Sequence, residues 1–256
     1  MSGPLAGISV VVTRPRHQAA ALASALGAAG AHVVLLPVTE IAEPEDAGAA
    51  LDRALADLPG YAWVVFTSAN AAHRTMARLR DARALGPVGV AAVGRATAEA
   101  LAEHGIVAAL VPERADAAGL AEAFPLAVEP GARVLFPAAA GAGPALVRGV
   151  AAKGWAVDRV EAYRTVPAPP PPPGMVAQLE AADAVIFASP SAVDAYRAAR
   201  VAGRPLPVPP TVACIGPATV AAARAAGLTV GAEAASPSPG ALVDALVRRL
   251  ASPGAP

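Results

Sequence analysis

Residues 63–76, WVVFTSANAAHRTM, and residues 184–197, AVIFASPSAVDAYR, carry one pattern twice. Each opens on four apolar residues, passes a turn of small and hydroxyl-bearing residues, and continues as an alanine-rich stretch. A short, wholly apolar run predicts a strand buried on both faces, and the stretch behind the turn predicts a helix. The next segments repeat as well: VAAVGRATAEALAEHGI at 90–106 is matched by VACIGPATVAAARAAGL at 212–228. Phe66 aligns with Phe187, Gly94 with Gly216, Thr97 with Thr219 and Gly105 with Gly227, all at nearly one offset. More weakly, residues 9–34 resemble residues 133–158. The chain is therefore two copies of one α/β unit.

Working outward, strands are predicted at 9–13, 32–36, 63–67, 88–93, 108–111, 134–137, 156–160, 184–188, 211–215 and 229–232. Helices fill most intervals, among them 16–29, 69–79, 96–104, 145–153, 192–199 and 218–226. Strands alternating with helices of this length give βαβ units and parallel sheets covered on both faces. Two breaks interrupt the repeat. One is the extended stretch 37–44; the other, at 166–173, contains Pro167 and the run Pro169–Pro173, which is neither helix nor central strand. A break so early in the first copy predicts that the chain leaves one domain, builds the second, and returns. Domain 1 is then 1–37 plus 168–256, domain 2 is 38–167, and the double crossing makes a hinge. A tandem order with one crossing near residue 125 is the alternative.

Composition narrows the function classes. The 256 residues carry no formal net charge, with 20 Lys and Arg against 20 Asp and Glu, which argues against a nucleic-acid binder working through a broad basic field. One cysteine, Cys214, excludes an internal disulfide and a cysteine-built metal site, and its apolar setting predicts a buried strand residue. The first residues lack the charged start and apolar core of a secretory signal, and no apolar run is long enough to span a bilayer. A soluble, cytoplasmic protein is expected.

In parallel sheets, ligands bind beyond the carboxyl ends of the strands, where helix N-termini present N–H groups. Five turns fit that place: Thr13-Arg14-Pro15, Thr67-Ser68-Ala69-Asn70, Gly94-Arg95-Ala96-Thr97, Ser189-Pro190-Ser191 and Gly216-Pro217-Ala218-Thr219. Each alone reads equally as an ordinary helix cap. Their recurrence in two copies would ring a shared cleft with donors suited to a ligand bearing many carboxylates. His17, His32, His73 and His104 are scattered without metal-ligand spacing, and Gly141-Ala142-Gly143 lacks the third glycine of a dinucleotide fingerprint. No phosphate-binding loop or nucleophile elbow is present. The acidic residues Glu40, Glu43, Glu45 and Asp46 are expected to be solvated. What remains, for an enzyme without metal, nucleotide or catalytic triad, is catalysis by binding geometry, dipoles and one phenol or hydroxyl. Tyr163, in Glu161-Ala162-Tyr163-Arg164-Thr165, is the best such group, and a hinge-packing aromatic is its alternative role.

Taken together, these pieces resemble the uroporphyrinogen-III synthase family over nearly the whole chain. The carriers are VVTRPRHQAAALASAL with LLPVTEI, WVVFTSANAAHRTM, AVGRATAEAL, AYRTV, AVIFASPSAV and IGPATVAAARAAGL, in that order. The resemblance implies two similar Rossmann-like (flavodoxin-like) domains with parallel sheets, a two-stranded linker and a cleft between them. It implies a cofactor-free enzyme whose substrate is hydroxymethylbilane and whose product is uroporphyrinogen III, closed with ring D inverted and water lost. Tyr163 then matches the family's cleft tyrosine, the proton donor to the leaving hydroxyl. Ser68, Asn70, Thr97, Ser189, Ser191 and Thr219 match its substrate-holding loops, and Arg14 matches the arginine of its first loop. Arg95 and Arg164 are further electrostatic candidates. A monomer is implied, with transient contact to hydroxymethylbilane synthase and none to nucleic acid or membrane. Two departures stand out: Ala138-Ala139-Ala140-Gly141 lies where many members carry an arginine, and Ala188 where a threonine often precedes the serine. A non-catalytic tetrapyrrole-binding or regulatory homologue is the alternative function. A periplasmic-type solute-binding protein has a two-lobed shape too, but predicts an export signal.

Overall fold

The computed structural model describes residues 3–250. The chain divides into two compact units, one made of the residues up to Glu40 with those from Val166 on, the other of Ile41–Thr165.

In the first unit, strands β1 (Ser9–Val12) and β2 (His32–Leu35) flank helix α1 (Arg16–Ala28). The next two strands, β3 (Thr39–Ala42) and β4 (Trp63–Phe66), precede and enter the second unit, with helix α2 (Ala49–Ala56) between them. There α3 (Ala69–Met76), β5 (Gly89–Ala92), α4 (Arg95–Ala102), α5 (Ala117–Ala123), β6 (Arg133–Ala139), α6 (Ala145–Ala151) and β7 (Ala156–Pro167) follow in turn. After the prolines the chain adds α7 (Gly174–Glu180), β8 (Ala184–Phe187), α8 (Pro190–Ala198), the short pair β9 (Arg200–Val201) and β10 (Arg204–Pro205), β11 (Thr211–Cys214), α9 (Pro217–Ala225), β12 (Val230–Glu233) and α10 (Pro239–Leu250).

The first unit's sheet has the order β12-β11-β8-β1-β2, with every neighbouring pair parallel. Its strands alternate between two cores. Val11, Val185, Phe187, Val212 and Cys214 face Leu179, Val193, Tyr196 and Ala223 of α7, α8 and α9. Val10, Val12, Ile186 and Ala213 face Leu22 and Leu26 of α1 and Leu242 and Leu246 of α10. Burial on both faces is why these strands read as unbroken apolar runs, each large side chain contributing about 1.5–3 kcal/mol.

The second unit's sheet has the order β3-β7-β6-β4-β5, with the pairs from β7 to β5 parallel. Val64, Phe66, Val90 and Leu135 pack on α2, α3 and α4, while Val65, Val134 and Phe136 pack on α5, α6, Phe124 and Trp155. Beyond β5, Leu110 makes a single parallel bridge to Ala91. The duplication is visible strand by strand: β4, β5, β6 and β7 stand where β8, β11, β1 and β2 stand in the first unit, and Leu110 lies where β12 does.

Two expectations are corrected. The strand predicted at 108–111 shrinks to that bridge, because the segment lies outside β5 and Pro112 follows at once. The stretch 37–44 is not merely extended: Thr39–Ala42 pairs with β7. The acidic residues Glu40, Glu43, Glu45 and Asp46 are exposed, as expected, and three of them are also paired: Glu43 bridges Arg74 and Arg78, Glu45 meets Arg164 and Asp46 accepts N–H bonds from Gly48 and Ala50.

Candidate functional site

Parallel strands send every strand-to-helix turn to the same edge of a sheet. In the second unit that edge carries the turns after β4, β5 and β6, and in the first the turns after β1, β8 and β11. All five candidate turns therefore lie at the carboxyl edge of their own sheet.

Tyr163 reaches the second unit's edge through a defect in pairing. On β7 a plain two-residue alternation that directs Val160 and Ala162 to the α3–α4 face sends Tyr163 to the other. The register with β6 shifts between Ala138 and Ala139, so that Ala138 pairs with Glu161 and Ala139 with Tyr163. The extra residue brings Ala162 and Tyr163 into the same core cluster, which also holds Phe66, Ala71 and Ala72. A β-bulge re-aims a side chain in this way. Tyr163 is 7% exposed, and its phenol oxygen lies 3.1 Å from Ser68 Oγ. Ser68 is the N-cap of α3 and also accepts the Ala71 N–H at 3.1 Å. Asn70 follows in the first turn of the same helix, half-buried.

The hydroxyls on the other turns divide by exposure. Ser189 caps α8 through the Ala192 N–H, and its Oγ lies 3.0 Å from Ser191 Oγ, which is exposed. Thr97 and Thr219, by contrast, are 4% and 2% exposed, each third in its helix. Their side chains are part of the helix packing, so what these turns offer outward is backbone. The two turns also differ from each other. A Cβ on Gly94 would meet Ala115 Cβ at 2.7 Å, whereas one on Gly216 would meet nothing within 4 Å. Packing demands the glycine in the first turn; open space lies over it in the second.

The arginines differ in the same manner. Arg14, after β1, is half-buried, and burial pushes its guanidinium below the usual arginine range. No ion pair reaches it among the described residues, which leaves it a desolvated cation suited to an anionic ligand. Arg95 is instead paired with Glu99 at 2.7 Å and Arg164 with Glu45 at 2.7 Å, so both expected electrostatic candidates already hold carboxylates. Arg159 is a residue the sequence did not single out. Its guanidinium donates to the carbonyls of Ala139 and Ala140 at 3.2 and 2.6 Å, within the loop that lacks an arginine of its own.

The histidines are less scattered than their spacing suggested, because α3 and the end of α4 pack together and set His73 Nδ1 3.0 Å from His104 Nε2. Among the described residues, no three His, Cys, Asp or Glu side chains group to hold a metal ion. Cys214 is buried as expected, and burial, with Glu233 next to it in register, pushes its thiol up to about 11. No helix among the described residues is long and apolar enough to cross a membrane.

Against known proteins, residues 20–244 match the sequence model of one family, described as uroporphyrinogen-III synthase HemD. The chain belongs to the uroporphyrinogen-III synthase family. It is 34% identical over 166 residues to the uroporphyrinogen-III synthase of Synechococcus elongatus, covering 63% of this chain and 62% of that one. It is 31% identical over 229 residues to the chloroplastic uroporphyrinogen-III synthase of Oryza sativa subsp. japonica, covering 86% and 73%. To the porphyrin biosynthesis protein HemD of Ruminiclostridium josui it is 31% identical, over 64% of this chain and 33% of that one. The match thus spans less than two thirds of the cyanobacterial and clostridial relatives. Crystal structures of a mutant uroporphyrinogen III synthase from Thermus thermophilus and of the uroporphyrinogen-III synthetase from Helicobacter pylori share the fold. Their TM-scores are 0.62 and 0.61, at 20% and 16% identity, over 96% and 94% of this chain and 99% of each of theirs. The α/β fold with parallel sheets is that of this family.

Proposed function

We propose that this chain is a uroporphyrinogen-III synthase, which closes linear hydroxymethylbilane into uroporphyrinogen III with ring D inverted and one water released. Family membership supplies the reaction; the observation that carries it to these residues is Tyr163, brought by a bulge to the carboxyl edge and set 3.1 Å from Ser68. On this reading the two units are domains joined by the β3 and β7 crossings, and the substrate is held by turns at the carboxyl edges of the sheets. Arg14 and the first-turn N–H groups behind Ser189, Gly94 and Gly216 hold its acetates and propionates, with Ser191, Asn70, Thr97 and Thr219 in the same turns.

The Tyr163 hydroxyl gives its proton to the substrate's terminal hydroxyl. The carbon–oxygen bond breaks with its electron pair on oxygen, water departs, and ring A becomes an azafulvenium cation. The substituted carbon of ring D attacks it, giving a spiro intermediate that fragments and recombines with ring D inverted. Loss of a carbon-bound proton restores the aromatic pyrrole and reprotonates the phenol. Because the open substrate can close unaided without inversion, holding one conformation is the larger part of catalysis, and the oriented N–H groups and phenol offset developing charge. The reading needs no cofactor. It describes a cytoplasmic monomer that meets hydroxymethylbilane synthase transiently to receive its substrate.

Incubation with freshly made hydroxymethylbilane, oxidation and separation of the isomers tests this. The expected product is the inverted isomer. Tight binding of the tetrapyrrole without cyclisation would instead mark a non-catalytic homologue.

A further inference from the structure

Ser68 sits in a turn whose pattern suggests a holder of substrate carboxylates, but its surroundings fit a different task. Its Oγ already accepts the Ala71 N–H at 3.1 Å, and it lies 3.1 Å from the Tyr163 phenol oxygen. A serine oxygen that accepts one N–H keeps its own proton and one further lone pair. Two arrangements satisfy the contact: the phenol donates to the serine, or the serine donates to the phenol. The first ties up the phenolic proton. The second leaves that proton free to point away from the serine, and it is favoured when the serine oxygen is polarised by an N–H at the start of α3. Tyr163 is 7% exposed and belongs to the buried cluster of the α3–α4 face, so its ring has little freedom to find another partner.

We propose that Ser68 is a positioning residue for Tyr163: it donates its proton to the phenol oxygen and so directs the phenolic O–H outward to the substrate. The inference rests on the reading of Tyr163 as the proton donor given above. When Tyr163 passes its proton to the departing hydroxyl, the negative charge left on the phenolate is met by the Ser68 O–H. The phenolate recovers a proton when the last carbon-bound proton leaves the new macrocycle, and Ser68 ends as it began. Charge-assisted bonds of this kind are the stronger ones, and losing one costs about 10- to 100-fold in rate.

The test is isomer-resolved kinetics on wild type, Ser68→Ala, Ser68→Thr, Tyr163→Phe and the double variant Ser68→Ala/Tyr163→Phe. Ser68→Ala should lower kcat about 10- to 100-fold with KM within about 2-fold, because the loss falls on the transition state. Ser68→Thr, which keeps both hydroxyl and cap, should restore most of kcat. In the Tyr163→Phe background, Ser68→Ala should change kcat by less than about 2-fold, since the group it serves is already gone. A raised KM at unchanged kcat would overturn the proposal in favour of carboxylate binding. An equal loss of kcat in both backgrounds would overturn it in favour of a purely structural cap. Should wild type itself yield only the uninverted isomer at the spontaneous rate, the proposed function fails first. Should Tyr163→Phe keep full kcat, the assignment of Tyr163 fails, and this inference falls with either.

Discussion

Replacing glycine by alanine in two duplicated turns should have opposite consequences, although the sequence makes them equivalents. At Gly94 the new methyl would sit 2.7 Å from Ala115 Cβ, against the roughly 3.5–4.0 Å at which carbon atoms rest. About 1 Å of displacement is therefore forced on a buried turn, and overpacking of that size costs about 1–3 kcal/mol. Gly94→Ala should lower Tm by about 2–10 °C. At Gly216 the same methyl meets nothing within 4 Å, and the backbone there is extended (φ 170°), open to any residue. The fold should lose nothing, and can gain about 0.4–1 kcal/mol because alanine restricts the unfolded chain. The open space over the first turn of α9 is instead where a substrate carboxylate is proposed to approach backbone N–H groups. Gly216→Ala should therefore raise KM about 5-fold or more with no loss of Tm. Thermal denaturation with steady-state kinetics on both variants decides the matter. A destabilised Gly216→Ala with a neutral Gly94→Ala would overturn this assignment of packed and open turns, and a stable Gly216→Ala with wild-type KM would remove the Gly216 turn from the binding site.

Other consequences follow from burial and charge. Arg14→Gln should raise KM about 10-fold while leaving stability within about 0.5 kcal/mol, because no ion pair is lost; unchanged KM would argue against Arg14 as an anion holder. Tyr196 is buried and donates its hydroxyl to the Pro207 carbonyl, so Tyr196→Phe should cost about 1–3 kcal/mol in urea unfolding with little effect on KM. The Cys214 thiol, raised from 9.0 to about 11 by burial, stays neutral in the fold while the unfolded chain begins to ionise near pH 9. The associated stability is complete below pH 9 and falls as pH rises towards 11, by on the order of 2–3 kcal/mol. Urea midpoints that are flat over this window, or that fall equally in Cys214→Ala, would contradict that.

The strands were legible because burial on both faces leaves a signature of unbroken apolar residues, as in Ala184–Phe187 and Trp63–Phe66. Where burial was one-sided or brief the signal failed. Thr39–Ala42 is short and half polar, so its strand character comes from the partner β7 and not from its own composition. Residues 108–111 look like a strand locally but end at Pro112 beyond the last full strand. Helix α7 was hidden behind the prolines that precede Gly174. For the site, the sequence named the turns but not which groups on them are outward. That Thr97 and Thr219 are buried depends on helix rotation, and that Tyr163 meets Ser68, 95 positions away, depends on one extra residue in the β6–β7 register. The pairing of Glu43 with Arg74 and Arg78, and of His73 with His104, likewise comes from packing between segments that are distant in sequence.

With the proposed function, the folded chain imposes ring inversion on a substrate that otherwise closes without it. The most direct measure of this is the ratio of inverted to uninverted uroporphyrinogen as protein is titrated into a fixed amount of hydroxymethylbilane. The inverted isomer should rise with protein concentration until the spontaneous product disappears. A ratio that stays at the spontaneous value at every concentration would contradict the proposed function.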